Sequence, residues 1–203
     1  MVLTAVGGLM SVGVAACGGG DRLDANEDEG TYEVQVSEAS FPEHQVLAKK
    51  SALEITVKNT GSEAIPNIAV TVDGFYTRLK DPDLFDPRRP IFSINGVRKQ
   101  IGNYPEIKLD APGGGETLYV NTWALGRLKP DAETTFRWRV TALRPGPYKL
   151  TYKVSAGLQG KALAEDVGGE QPSGTFAGTI SDEVPYNRVA ADGRTVISSS
   201  DKD

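Results

Sequence analysis

The chain reads as an all-β protein, an antiparallel β-sandwich with a long inserted loop region and flexible termini. Three observations predict this. Apolar and polar residues alternate with a period of two over most of residues 31–182, as in half-buried strands. Clusters of Gly, Pro, Asn and Asp punctuate those runs with turn chemistry. No segment carries a convincing helical period, and Ala162 to Val167 offers at most one turn of helix. Many short strands at this spacing point to a sandwich or barrel. A length of 203 residues fits one domain of ordinary size plus its ends, large enough to bury a core without a disulfide.

Met1 to Ala16 carries no charge and runs through Val2, Leu3, Val6, Leu9, Met10, Val12 and Val14. It is shorter than the ~20 residues of a bilayer-spanning helix and reads as the apolar region of a secretory signal. The run ends Val14-Ala15-Ala16-Cys17, with Gly18 to Gly20 behind it. This resembles the lipobox of bacterial lipoproteins: a branched apolar residue, two small residues, then the cysteine. The resemblance implies cleavage before Cys17 and a diacylglyceryl group on its sulfur. Residues 1–16 are then a lipoprotein signal peptide. Residues 17–30, Gly-rich and then acidic through Asp21, Asp24, Glu27, Asp28 and Glu29, form a flexible, self-repelling spacer.

The domain follows over 31–182. Tyr32, Val34 and Val36 alternate with polar residues, as do Leu53, Ile55 and Val57. Asn59-Thr60-Gly61 then supplies a turn into a strand with Ile68, Val70 and Val72 on one side, which reads as a hairpin. The stretch from Gly74 to Gly115 is broken by Asp-Pro pairs and a Gly run, with short strands at Ile91–Ile94 and Ile107–Leu109. An excursion of this length is a candidate working surface. Leu118, Val120 and Thr122 are expected to share one strand face. Phe136, Trp138 and Val140 alternate with Arg137 and Arg139, then Tyr148, Leu150, Tyr152 and Val154 with Lys149 and Lys153. Phe176 to Ile180 gives a last strand. Residues 183–203 form a C-terminal extension, expected to be partly disordered, with a polar end from about Ala191.

Three elements carry a further resemblance: "V-x-N-x-G" at Val57 to Gly61, "L-x-P" at Leu128 to Pro130, and "G-x-Y" at Gly146 to Tyr148. Together they resemble bacterial surface immunoglobulin-like domains of the CARDB and DUF11 type, over about residues 50–156. Asp131 stands where that turn usually has Gly. The resemblance implies an immunoglobulin-like sandwich and, since such modules are mostly non-enzymatic, a binding or structural role. Tyr148 takes the place of a tyrosine-corner residue, its hydroxyl bonding backbone upstream, and Leu150 that of the absent disulfide cysteine.

Composition narrows the chemistry. There is one cysteine, one histidine (His44), and a net charge of -5. A structural or catalytic zinc site needs about three or four ligands, and blue copper needs two His with a Cys, so neither is expected. The acidic balance disfavours nucleic acid. Asp81, Asp83 and Asp86 lack the Gly and bidentate Glu of a calcium loop, and Arg88 and Arg89 would neutralise them. One histidine leaves few options for a Ser-His-Asp triad, and no G-x-S-x-G occurs. No metal, cofactor or catalytic residue is expected. Arg137, Arg139, Lys149 and Lys153 are expected to share a basic outer face.

The sequence therefore predicts a non-catalytic, extracytoplasmic lipoprotein, anchored to the bacterial cell membrane through Cys17. Its expected partner is an envelope protein or a cell-wall glycan. Tyr76, Phe85, Phe92, Tyr104 and Trp123 are the candidate contact residues. The alternatives are a carbohydrate-binding module using exposed aromatics, with Trp123 the better-exposed tryptophan, and an accessory subunit of an envelope enzyme.

Overall fold

A computed structural model describes residues 27–76, 90–101, 104–109, 111–114, 116–183 and 187–198. The predicted sites at Cys17, Phe85 and the Asp81–Asp86 group lie outside these residues. In chain order the described strands are β1 (Gly30–Ser40), β2 (His44–Val46), β3 (Lys50–Asn59), β4 (Ile65–Asp73), β5 (Phe92–Ile94), β6 (Gly96–Ile101) and β7 (Tyr104–Leu109). After a short 3-10 turn at Pro112–Gly114 come β8 (Thr122–Leu128), β9 (Glu133–Ala142), β10 (Gly146–Ser155), β11 (Ala162–Glu165), β12 (Ser173–Ser181), β13 (Asn187–Val189) and β14 (Val196–Ser198).

Two five-stranded sheets face each other. One runs β11-β1-β3-β9-β5, the other β2-β12-β10-β4-β8. The order β1-β3-β9-β5 opposite β12-β10-β4 is the A-B-E-D against G-F-C arrangement of an immunoglobulin-like sandwich, with β8 as an added strand beside C. The central pairings are antiparallel, while β1 with β11 and β2 with β12 are parallel.

Alternation gives each sheet its inner face. Leu53, Ile55 and Val57 of β3, Phe136, Trp138 and Val140 of β9, and Leu150 and Val154 of β10 are fully buried. At ~25 cal/mol per Å² of apolar surface removed from water, such a face is the main stabilising term. On the outer face of the first sheet Arg137 Nε meets Glu54 Oε1 at 2.8 Å, and the Thr56 and Thr135 hydroxyls bond at 3.0 Å.

The registers define two ends. Glu27, the 59–65 connection and the 128–133 turn lie at the lower end; residues 40–44, 73–76, 90–92 and 142–146 lie at the upper end. At the lower end Asn59 is wholly buried. Its Nδ2 donates to the carbonyls of Glu63 (2.8 Å) and Leu128 (3.0 Å), and its Oδ1 accepts from Gly61 N–H (3.0 Å). That is the physical content of the N-x-G element. Asp131 has φ 59, the left-handed conformation that explains why Gly suits the place.

Several expectations are corrected. β3 and β4 do not form a hairpin: they belong to opposite sheets, and the Asn59–Gly61 turn crosses between them. Arg137 and Arg139 sit on β9 while Lys149 and Lys153 sit on β10, so the basic residues are divided between the two sheets and make no common stripe. Ala162–Glu165 is a strand paired to β1, not a turn of helix. Residues 27–30 do not behave as free spacer. Glu27 is 8% exposed, and its carboxylate accepts from the N–H groups of Leu158 (2.8 and 2.9 Å) and Gln159 (3.2 Å), with Asn67 Nδ2 at 3.5 Å. Consecutive amides meeting a carboxylate form an anion nest. In the C-terminal extension, β13 and β14 form a hairpin. Asp192 accepts from Arg194 and Thr195 in its turn, and the Thr195 hydroxyl, then those amides, hold its carboxyl at about 2.

Candidate binding surface

The upper end is built on aromatic rings. Phe75 packs edge-on to Phe92 (6.4 Å between centroids) and to Trp123 (6.4 Å). Trp123 in turn meets Trp138 across the sandwich at 5.4 Å and 84°. Phe92 also meets Phe41 (5.4 Å) and Tyr148 (5.3 Å). Edge-to-face pairs of this kind add about 0.5–1.5 kcal/mol each beyond area burial. The Tyr148 hydroxyl donates to the carbonyl of Pro42. It does bond backbone upstream, but across the fold rather than at a local corner.

This packing corrects two of the predicted contact residues. Phe92 and Trp123 are both 0% exposed and belong to the core. Phe92 begins β5, whose pairing with β9 turns it inward. Trp123 is the first inward residue of β8, opposite Val70. Tyr104 lies on β7 by its backbone. Tyr76 is 42% exposed. Burial raises its phenol above the ordinary 10.0, and the Glu116 carboxylate adds to the rise.

The residues that sequence reasoning missed follow Glu116 in the chain, on a turn tied to Asp73. Leu118 is 94% exposed and Val120 79%, with Tyr119 between them at 37%. The alternation predicts Leu118, Val120 and Thr122 on one face of a strand, but β8 starts only at Thr122, and residues 117–121 form a tight turn. Thr117 N–H donates to Thr122 O (2.8 Å) and Thr122 N–H to Tyr119 O (3.2 Å). The Thr117 hydroxyl accepts from Tyr119 N–H at 3.1 Å. Asn121 adopts φ 57, donates its N–H to the Glu116 carboxylate, and donates Nδ2 to Asp73 at 2.9 Å. Val72 N–H closes the frame on Asn121 O at 2.9 Å. The signal available in the sequence was Thr117 with Asn121, a hydroxyl that caps a turn and a residue that tolerates the left-handed region. The result is an apolar tip held on a fixed turn, rimmed by Asp73 and Glu116.

His44 lies exposed on β2, its Nδ1 3.5 Å from the Thr179 hydroxyl. Among the described residues no three His, Cys, Asp or Glu side chains gather as a metal site.

No protein-family model matches the chain, and no curated protein matches it in sequence. Solved structures do resemble it. The CARDB domain of a Pyrococcus furiosus protein, in complex with di-metal ions, is 15% identical with a TM-score of 0.40, over 75% of this chain and 93% of that one. Native alpha-2-macroglobulin from Escherichia coli, from domain MG7 to the C-terminus, is 15% identical with a TM-score of 0.41, over 80% of this chain and 21% of that one. A beta-glucosidase from Listeria innocua is 15% identical with a TM-score of 0.33, over 73% and 16%. This chain spans only 8% of the Salmonella alpha-2-macroglobulin that it also resembles.

Proposed function

We propose that this chain is a non-catalytic immunoglobulin-like module, tethered outside the cytoplasm by a lipid on Cys17, that engages an envelope protein or wall polymer through its upper end. The observation that carries the reading is the tip at Leu118–Val120. Contiguous exposed apolar groups rimmed by polar residues are the pattern of an interaction site, and the tip has that pattern, with Asp73 and Glu116 at its rim. The placement supports it as well. Chain from the side of Cys17 enters at Glu27, at the lower end, so the tip points away from the tether. A carbohydrate-binding role would have to run through tyrosines such as Tyr76, since both tryptophans are buried.

Two measurements test the proposal. Cys17→Ser should release the protein from the membrane fraction, and mass spectrometry of the native protein should find an acylated residue 17. A photo-crosslinking amino acid at position 118 should give a discrete adduct in intact cells, and one at position 153 should not. A cytosolic, unmodified chain would refute the tether, and identical adduct patterns from both positions would refute the surface.

A further inference from the structure

The upper end carries a second feature. Between β2 and the start of β3 lies an open depression of about 360 Å³, lined by Pro42, Val46 and Ser51 beside His44 and Gln45. Its charged lining is Lys49 and Lys50, both exposed. β2 and β8 are opposite edges of the same five-stranded sheet, roughly 19 Å apart at ~4.8 Å per strand. The tip stands on the β8 edge and the depression on the β2 edge, both at the upper end.

We propose that the tip of one copy docks into the depression of a second copy of this chain. The two surfaces fit in chemistry. Leu118 and Val120 offer aliphatic groups to Pro42 and Val46, while the Asp73 and Glu116 rim meets Lys49 and Lys50. Opposite charge at the rim of an apolar contact fixes register and excludes wrong partners. The acidic rim disfavours the main competitor, an anionic lipid surface, which attracts basic segments. The contact is head-to-tail, because one patch is the tip and the other is the depression. It therefore repeats from copy to copy and builds a lateral row unless the rotation closes a ring. The inference deepens the binding-module reading by naming the partner, and it rests on that reading for the use of the upper end.

Sedimentation velocity on the full chain tests it. Every sample carries Cys17→Ser, so that neither acylation nor a disulfide links copies, and the run of residues 1–16 is common to all. The parent should self-associate with rising concentration. Leu118→Asp and Lys49→Glu/Lys50→Glu should each weaken association at least about tenfold, the equivalent of ~1.4 kcal/mol. Both replace exposed side chains, and circular dichroism should confirm that the fold is kept. An equimolar mixture of the two variants should form a two-chain species and nothing larger, since each retains one competent surface. A monomeric parent, equal association of all variants, or a mixture that stays monomeric would overturn the proposal. So would Leu118-dependent binding to anionic phosphatidylglycerol vesicles by a chain that does not self-associate. In either case the release of the Cys17→Ser protein and the position-118 adduct still decide the module reading separately.

Discussion

Asn59→Ala should destabilise the domain by about 3 kcal/mol, because each net hydrogen bond lost from a buried group costs ~1 kcal/mol and the partners left behind are themselves buried or constrained. The side chain makes three bonds at 2.8, 3.0 and 3.0 Å. Two of them close the 59–63 connection after β3, and the third joins the opposite sheets by reaching the carbonyl of Leu128 at the end of β8. The backbone of Asn59 adds to the join, donating to Ala132 O and accepting from Asp131 N–H, both at 3.0 Å. Asn59→Asp is nearly isosteric, yet it should cost at least as much, since it turns two donors into acceptors facing two carbonyls. Urea unfolding followed by tryptophan fluorescence reads the loss as a lower midpoint at unchanged slope. A total stability of ~5–15 kcal/mol would leave both variants folded but visibly weakened. If Asn59→Ala costs under ~1 kcal/mol and Asn59→Asp is neutral, the side chain is not the staple described.

Gly74→Ala should cost about 3 kcal/mol, measured by the same unfolding curve, because φ is 112 and an added Cβ would meet Lys149 O at 2.5 Å. Glu27→Ala should cost ~2 kcal/mol by leaving the Leu158 and Gln159 amides without their acceptor. Gly157→Ala would press on the same carboxylate, at 2.5 Å from its Oε2, so the double variant should fall short of additivity by ~1 kcal/mol in a mutant cycle. Tyr32, Tyr76, Tyr148 and Tyr152 all have phenols raised above 10.0, first by burial. The unfolded chain therefore loses these protons before the folded one. Stability should hold up to about pH 10 and fall as pH rises from there through the folded values. A chain whose melting temperature is flat across that window would contradict the burial of these rings.

The core was legible because it obeys one period. Leu53, Ile55, Val57, Phe136, Trp138 and Val140 were read as inward from alternation alone, and each is fully buried. What alternation does not encode is which sheet a strand joins. Asn59-Thr60-Gly61 has hairpin chemistry, but the same turn serves a crossover when the next strand finds better partners in the other sheet, as β4 does with β10 and β8. The basic stripe failed for the same reason. The tip failed for a different one. Leu118, Val120 and Thr122 satisfy a strand period, yet Thr117 and Asn121 offer the backbone local bonds that close a turn instead. Phe92 reads as outward because it sits in a stretch broken by Pro and Gly, and Trp123 because it interrupts the alternation beside Thr122. Their backbone pairing, with β9 and β4 respectively, decides the matter and is long-range. The Glu27 nest was hidden because its acceptor and donors are 131 residues apart.

The account stands on two sheets that face each other and bury alternate side chains between them. Trp123 belongs to one sheet and Trp138 to the other, with ring centroids 5.4 Å apart. A nuclear Overhauser measurement between the two indole rings tests this directly. Strong cross-peaks between their ring protons are expected. Their absence in the folded protein, with each indole exchanging freely with water, would contradict the facing-sheet arrangement and everything built on it.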